Sequence, residues 1–104
     1  MDDKYYSVSV NPAAIVKLAG HVEFLSRINE NAVISLCDSY EETLDFLKHT
    51  PEICPLYEPK IPIDAELRCK IFGKRYRIIF EIIDNDVFVY DIQDCRQDDD
   101  KSLI

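Results

Sequence analysis

The stretch that decides the fold is Leu67–Ile92, LRCKIFGKRYRIIFEIIDNDVFVYDI. It contains three runs rich in β-branched and aromatic residues, separated by Gly73-Lys74-Arg75 and by Asp84-Asn85-Asp86. β-branched and aromatic residues favour strands, whereas glycine, asparagine and aspartate favour tight turns. The stretch therefore predicts a meander of three antiparallel strands, at Leu67–Phe72, Tyr76–Ile83 and Val87–Ile92.

One strand and two helices are predicted before the meander. Tyr5–Val10 alternates with the period of a strand, and Asn11-Pro12 then supplies a helix cap and a first-turn proline. In the two segments that follow, apolar residues recur every three or four positions, as on the buried face of a helix. The first set is Ile15, Leu18, Val22 and Leu25, and the second is Val33, Leu36, Cys37, Tyr40, Leu44 and Leu47.

The predicted order of elements is β-α-α-β-β-β, which is an α+β fold. The short link at Asn29-Glu30-Asn31 predicts an antiparallel helical hairpin, and four of the five prolines fall between residues 51 and 62, which predicts an extended connector. We expect one domain over residues 1–104, with the hairpin packed on one face of a small, mainly antiparallel sheet and the other face partly open. Residues 98–104, which begin with three aspartates, are expected to form a flexible acidic tail.

The chain is acidic but carries one local concentration of cations. Its 104 residues include 20 acidic and 12 basic side chains, which gives a net charge of −8. A globally acidic chain repels polyphosphates, so a contact with nucleic acid has to pass through a local basic region. Five cations fall between Leu67 and Phe80, where no acid occurs: Arg68, Lys70, Lys74, Arg75 and Arg77.

Strand alternation assigns these cations to a face of the sheet. The odd-numbered residues Leu67, Cys69 and Ile71 share one face of the first meander strand, and the even-numbered residues share the other. We expect the apolar trio to meet the helices, so that Arg68 and Lys70 point outward and Arg77 of the next strand joins them. Three neighbouring cations repel one another unless an anion or an acidic segment binds to them, so the cluster suggests a binding site. The alternative interpretation is that these cations belong to an ordinary solvated edge of the sheet.

Several kinds of site have no support in the sequence. Gly20 and Gly73 are its only glycines, so it has no glycine-rich phosphate loop, and neither His21 nor His49 stands at a catalytic or metal-ligating spacing. The four cysteines form no CxxC pair, which predicts free thiols that pack as small hydrophobic residues. We therefore expect no metal and no cofactor.

The expected location is the cytoplasm, with no membrane contact. The first residues lack the pattern of a signal peptide, and no apolar run reaches the roughly 18 residues of a membrane span.

Residues Glu66–Asp98 resemble the RelE/ParE superfamily of toxins from type II toxin–antitoxin pairs. The resemblance lies in the strand Tyr76–Phe80 (YRIIF), the acidic turn, the VFVY strand and the closing segment Asp94–Asp98 (DCRQD). In the family, this closing segment usually has the sequence His-Gly-Arg-Arg-Asp or a similar one. The order of elements and Pro51-Glu52 after the second helix also agree with the family. The resemblance implies a small toxin of plasmid-stabilisation type that a cognate antitoxin protein neutralises, with homo- or hetero-oligomers as a further expectation.

The family contains two mechanisms, and the residues match them unequally. RelE-type members are ribosome-dependent, metal-independent mRNA endonucleases. Matched residue by residue, their catalytic cations correspond to Arg68, Lys70 and Arg77. Lys70 would be the proton acceptor if neighbouring cations lower its pKa. Gln97, however, stands where these enzymes place an arginine, and the tail contains no tyrosine. ParE-type members inhibit DNA gyrase by binding, and the closing segment resembles theirs slightly better.

Three hypotheses therefore stand. The first is a ParE-like toxin that binds gyrase, with Lys74, Arg75 and Arg96 as target-binding residues. The second is a RelE-like enzyme that acts on mRNA at the ribosome through Arg68, Lys70 and Arg77. The third is a non-toxic, acidic interaction domain.

Overall fold

The computed structural model describes residues 5–96. The predictions for Gln97 and for the acidic tail at 98–104 concern residues outside this range. The helices and strands, numbered in chain order, are β1 Ser7–Val10, α1 Pro12–Ser26, α2 Glu30–His49, β2 Leu56–Tyr57, β3 Leu67–Phe72, β4 Tyr76–Ile83 and β5 Asp86–Asp94, with a short 3-10 helix at Pro51–Ile53.

The strands form one five-stranded sheet in the order β1-β5-β4-β3-β2. β3, β4 and β5 are a meander of antiparallel neighbours, as predicted, and β1 joins it parallel to β5. The predicted α+β fold, with two helices packed on a mainly antiparallel sheet, is confirmed. β2 was not predicted, because this strand has only two residues and lies within the proline-rich connector.

Both helices begin at asparagine caps. The Asn11 side chain accepts a hydrogen bond from the backbone N–H of Ala13, with Pro12 in the first turn, and Asn29 caps α2 in the same way through Asn31. These side-chain acceptors satisfy backbone donors that have no partner within the helix. The sequence alone therefore located both helix starts to within a few residues.

The predicted stripe of α1 is confirmed except at its first residue. Leu25 is buried and Leu18 and Val22 pack against the core, whereas Ile15 is half exposed and Ala14 and His21 are buried instead. In α2, Leu36 and Leu47 are buried as predicted, but Cys37 is exposed and Thr43 takes a buried position. Because α1 is apolar on more than one side, residue spacing alone could not decide that Ala14 rather than Ile15 faces the sheet.

The core lies between the helices and one face of the sheet. Its fully buried strand residues include Ile78, Phe80, Val89 and Ile92. A bulge disturbs the β4–β5 ladder, since Ile79 pairs with Asp91 and Phe80 pairs with Val89. The extra residue, Tyr90, lets Val89 and Ile92 both reach the core although they are three positions apart, which strict alternation forbids.

The two glycines should respond to alanine in opposite directions. Gly73 has a φ of +57°, and a Cβ there would meet the Tyr76 ring at 3.3 Å, whereas a Cβ at Gly20 on α1 would meet nothing within 4 Å. We expect Gly73→Ala to lower the free energy of unfolding by about 1–2 kcal/mol. Gly20→Ala should raise the same free energy by about 0.5–1 kcal/mol. Urea unfolding of the two variants checks this, and equal shifts in one direction would contradict the turn geometry.

Candidate functional site

The β3–β4 hairpin carries the cations, but the structure reverses the predicted faces of β3. Phe72, Lys70 and Arg68 pair with Tyr76, Ile78 and Phe80 of β4. Phe72, Tyr76, Ile78 and Phe80 all belong to the core beneath the helices. Arg68 and Lys70 therefore lie on the helix side of the sheet, whereas Cys69 and Ile71 lie on the other face. The prediction that Arg68 and Lys70 point away from the helices is wrong.

Arg68 and Lys70 lie at the margin of the helix-covered face. Arg68 Nη1 donates a hydrogen bond to the backbone oxygen of Cys54 at 2.6 Å, and its Nη2 lies 3.5 Å from Glu66 Oε1. Lys70 Nζ lies 4.4 Å from the centre of the Phe46 ring, on α2. Arg68 thus helps to hold the connector against β3, while Lys70 faces the helix.

The end of the hairpin carries the other predicted target-binding residues. Lys74 is exposed and has a φ of +71° in the tight turn. Arg75 Nη2 lies 2.6 Å from Oδ2 of the buried Asp94, and this hydrogen bond raises the pKa of Arg75. Arg96 is exposed, and its backbone N–H donates to Asp94 Oδ1 at 3.0 Å. Asp94 therefore brings Arg75 and Arg96 to the same end of the sheet as Lys74.

Arg77 lies on the face away from the helices, as predicted, but without Arg68 and Lys70. Its Nε and Nη2 donate to Gln93 Oε1 at 3.2 and 2.9 Å, and its guanidinium lies 5.3 Å from the centre of the Tyr57 ring. Gln93 in turn donates through Nε2 to Asp91 Oδ2 at 3.0 Å. Arg77 is therefore one end of a polar network across β4 and β5.

The other end of the network is an ion pair with α1. Lys17 Nζ lies 2.7 Å from Oδ1 of Asp91, a residue that is fully buried. Ile79 and Leu67 are buried on this face, whereas Ile71 and Ile83 on the same face are about half exposed, so the second face of the sheet is buried at its centre and partly open beyond it. Sequence reasoning missed Lys17, Asp91 and Gln93, although Asp91 and Gln93 do alternate with Ile92 in the pattern of a strand.

A second polar pair lies further along the same strands. Tyr90, the bulge residue, donates its hydroxyl to Glu81 Oε1 at 2.6 Å. This hydrogen bond to a carboxylate, together with burial and the negative charge of Glu81, raises the pKa of Tyr90 to about 12. The hydroxyl therefore stays protonated at neutral pH and fixes Glu81 rather than acting as a base.

The hairpin cations do not converge on one point. Arg68 and Lys70 lie on the helix side, Arg77 lies on the opposite side, and Lys74 and Arg75 lie in or beside the turn. A phosphoryl transition state needs its cations fixed around one group of oxygens. The expected shared face of Arg68, Lys70 and Arg77 is thus wrong, and their catalytic roles stay predictions that the RelE-type resemblance implies.

His21 of α1 is buried. Its ring centre lies 5.1 Å from that of Tyr76, and its Nε2 has no hydrogen-bond partner within the described residues. Burial lowers the pKa of His21; Asp94 and a backbone hydrogen bond to Ile92 oppose this effect, whereas the positive charges of Lys17 and Arg75 add to it. The ring is therefore neutral at pH 7.

We expect acid to destabilise the fold through His21. Because its folded pKa lies below about 6.5, the unfolded chain binds the proton more readily, so stability is lost as the pH falls through 6.5 towards the folded pKa. His21→Gln removes this titration. Urea unfolding at several pH values from 7.5 to 5.5 should show a shallower decline for the variant, and identical slopes would show that His21 is not the cause.

The cysteines and possible metal ligands are the remaining candidate groups. All four cysteines are free, and burial raises the pKa of Cys54 and Cys69, so both are thiols at neutral pH. Between residues 5 and 96, no group of three or more histidines, cysteines or acids is placed to hold a metal ion. In the same part of the chain, no helix is both long and apolar enough to cross a membrane.

Comparison with known proteins places this geometry in a known fold. No protein-family model and no curated protein sequence matches the chain. Its structure is similar to a chain in the crystal structure of the archaeal RelE–RelB complex from Pyrococcus horikoshii OT3. The match covers 89% of this chain and 98% of that chain, with 14% sequence identity and a TM-score of 0.55. The chain therefore has a RelE-like fold, as the resemblance of Glu66–Asp98 predicted.

Proposed function

We propose that this chain is the toxin of a type II toxin–antitoxin pair. The observation that carries the proposal is the RelE-like fold, which extends over nearly the whole of both chains in the match. The matched protein was solved together with RelB, and we infer that a cognate antitoxin likewise binds this chain and keeps it inactive in the cytoplasm. Proteins of one fold can have different functions, so the mechanism has to be inferred from the positions of individual residues.

The mechanism that the geometry favours is inhibition by binding, in the ParE manner, with DNA gyrase as the target. Arg68, Lys70 and Arg77 are divided between two faces, which argues against a single RNA-cleaving centre. Lys74 and Arg96, by contrast, are exposed at one end of the sheet. Such exposed cations can steer and orient a protein partner without any chemistry of their own.

Induced expression in a bacterial host tests this mechanism with two readouts. The expected result is relaxed plasmid DNA, because gyrase no longer supercoils it, together with intact transcripts. Codon-phased cuts in messenger RNA would instead identify a RelE-like endonuclease and would support catalytic roles for Arg68, Lys70 and Arg77. Normal supercoiling with intact messages would favour a non-toxic interaction domain.

The exposed cations at the hairpin end should determine target binding. We expect Lys74→Ala with Arg96→Ala to relieve growth inhibition while leaving the fold intact, because both side chains are exposed. Arg27→Ala with Lys48→Ala is the matched control, since it removes the same charge from two exposed positions of the helical hairpin, the C-cap of α1 and the last turn of α2. Growth curves and circular dichroism of both double variants check the prediction; equal toxicity in a folded Lys74/Arg96 variant contradicts it.

A further inference from the structure

Helix α1 carries apolar side chains on the side that faces away from the core. Val16 and Phe24 are 70% and 55% exposed, and Ile28, just beyond the helix, is 65% exposed. Ala13 and Gly20 are exposed beside them, and a Cβ at Gly20 would meet nothing within 4 Å. We call Ala13, Val16, Gly20 and Phe24 the outer α1 face.

The polar residues of α1 do not cover this face. Lys17 points to Asp91, with Nζ 2.7 Å from Oδ1, and His21 is buried. Glu23 and Arg27 are exposed, but they form an ion pair with each other at 3.2 Å, so their charges cancel. A helix on a protein surface normally places charged and polar residues opposite its buried side, whereas a helix that is apolar all round is normally buried. The outer α1 face therefore has the composition of a contact surface.

The neighbouring helix α2 shows the usual pattern of a solvated surface. Its exposed acidic residues are Glu30, Asp38, Glu41, Glu42 and Asp45. The chain as a whole has a net charge of −8, so two copies of it repel each other on average. Because the outer α1 face has no net charge, two copies that meet there experience the least repulsion.

The outer α1 face is complementary to itself. Val16 and Phe24 lie four positions before and after Gly20, on one side of the helix. If two α1 helices lie antiparallel and cross at Gly20, Val16 of each copy faces Phe24 of the other copy. Since Gly20 has no side chain, the two backbones can approach closely at the crossing point. Glycine destabilises a helix relative to alanine, and this contact gives Gly20 a role that the single chain does not.

We propose that the chain forms a homodimer through the outer α1 face, with the two α1 helices antiparallel and related by a twofold axis at Gly20. The interface is isologous, so the contact between Val16 and Phe24 occurs twice. α1 has 15 residues, and at its length of about 22 Å two such helices cover roughly 500 Å² of each copy. The total of about 1,000 Å² is the lower limit for a specific interface, so we expect a reversible dimer at micromolar concentrations. This inference goes beyond the proposed function and does not depend on it.

A lipid surface is a less suitable occupant of the outer α1 face. Helices that lie on membranes carry lysine and arginine on their polar side, which attract anionic headgroups. The exposed side of α2, next to α1, carries acidic residues instead. A second copy of the chain meets only the neutral, apolar face.

Sedimentation velocity of the purified chain, at concentrations from about 1 to 200 µM, tests the dimer. We expect Val16→Glu or Phe24→Lys alone to weaken dimerisation at least about tenfold, because each places a charge in an apolar contact. The two substitutions together should recover dimerisation, since the introduced opposite charges face each other across the interface. Ile71→Glu is the matched control because Ile71 is 50% exposed on the sheet face away from the helices, and it should leave the dimer unchanged. Circular dichroism checks that every variant folds.

Cross-linking tests the antiparallel arrangement separately. Ala13→Cys and Arg27→Cys are made in chains that also carry Cys37→Ser and Cys95→Ser, which remove the two exposed cysteines. In the proposed dimer, position 13 of one copy lies beside position 27 of the other, whereas equal positions lie about 21 Å apart along the helix axis. A short bismaleimide should therefore link the two variants when they are mixed, and should not link either variant to itself.

Each outcome supports or overturns the proposal. Dimerisation that the single charges weaken and the pair of charges restores supports it. A monomer at every concentration, a dimer that Phe24→Lys leaves unchanged, or cross-linking of either cysteine variant to itself overturns it. A monomer that sediments with phosphatidylcholine vesicles, and loses them in Phe24→Lys, overturns it in favour of a lipid surface. Because no measurement here involves toxicity, a harmless chain that dimerises refutes the proposed function and not this inference.

Discussion

Replacing Phe80 by alanine is expected to lower the free energy of unfolding by about 3–5 kcal/mol, the range for a large aromatic side chain removed from a core. Phe80 is fully buried at the centre of β4, where it pairs with Arg68 on one side and Val89 on the other. Urea unfolding followed by circular dichroism measures the loss.

Ile83→Ala is the matched control for Phe80→Ala. Ile83 ends the same strand but is nearly half exposed, so it leaves little cavity and should cost less than about 1 kcal/mol. If both variants lose the same stability, Phe80 is not at the centre of the core.

The second large effect is expected at the ion pair between α1 and β5. Lys17→Met removes the cation 2.7 Å from the fully buried Asp91 carboxylate. Removing one partner of a buried pair typically costs 3–5 kcal/mol, and we expect about 3 kcal/mol here because Ile92 N–H and Gln93 Nε2 still donate to Asp91. Thermal or urea unfolding measures the loss.

A double-mutant cycle separates this charge effect from simple loss of packing. Adding Asp91→Leu to Lys17→Met removes the buried charge, so the double variant should recover part of the stability that Lys17→Met loses. The exposed pair Arg27–Glu23 serves as the control, and its cycle should show far weaker coupling. Additive losses at Lys17 and Asp91 would mean that the ion pair does not hold α1 to the sheet.

Local signals predicted the elements well. The Asn11-Pro12 cap, the alternation of β1 and the turns around Gly73 and Asn85 are properties of a few consecutive residues, and the structure contains the expected helices and strands there. β2 could not be predicted because its two residues are a strand only through their pairing with Leu67 and Arg68.

The sequence could not decide which side of β3 packs against the helices, because both sides of this strand carry apolar residues. Leu67, Cys69 and Ile71 form one apolar side, but the single large ring of Phe72 decides the outcome by packing with Tyr40 and Tyr76. Arg68 and Lys70 share the side of Phe72 and therefore lie towards the helices. Phe72 thus joins the core beneath the helices, while Leu67 is buried on the opposite face and Ile71 is half exposed there.

The candidate site depends on contacts that are distant in sequence. Lys17 and Asp91 are 74 positions apart, and Arg77 and Gln93 are 16 apart, so no local pattern links them. The composition did reveal the cations of the hairpin, but only the register shows that they lie on two faces. The family resemblance predicted the fold, whereas the distribution of charge on that fold required the structure.

The central claim, that this chain is a toxin, is tested most directly by colony counts after induced expression in a bacterial host that lacks the partner. The wild-type chain should sharply reduce the number of colonies, whereas Phe80→Ala, which is about 3–5 kcal/mol less stable, should give a number closer to that of an empty vector. Undiminished colony counts despite abundant, folded wild-type protein would contradict the claim.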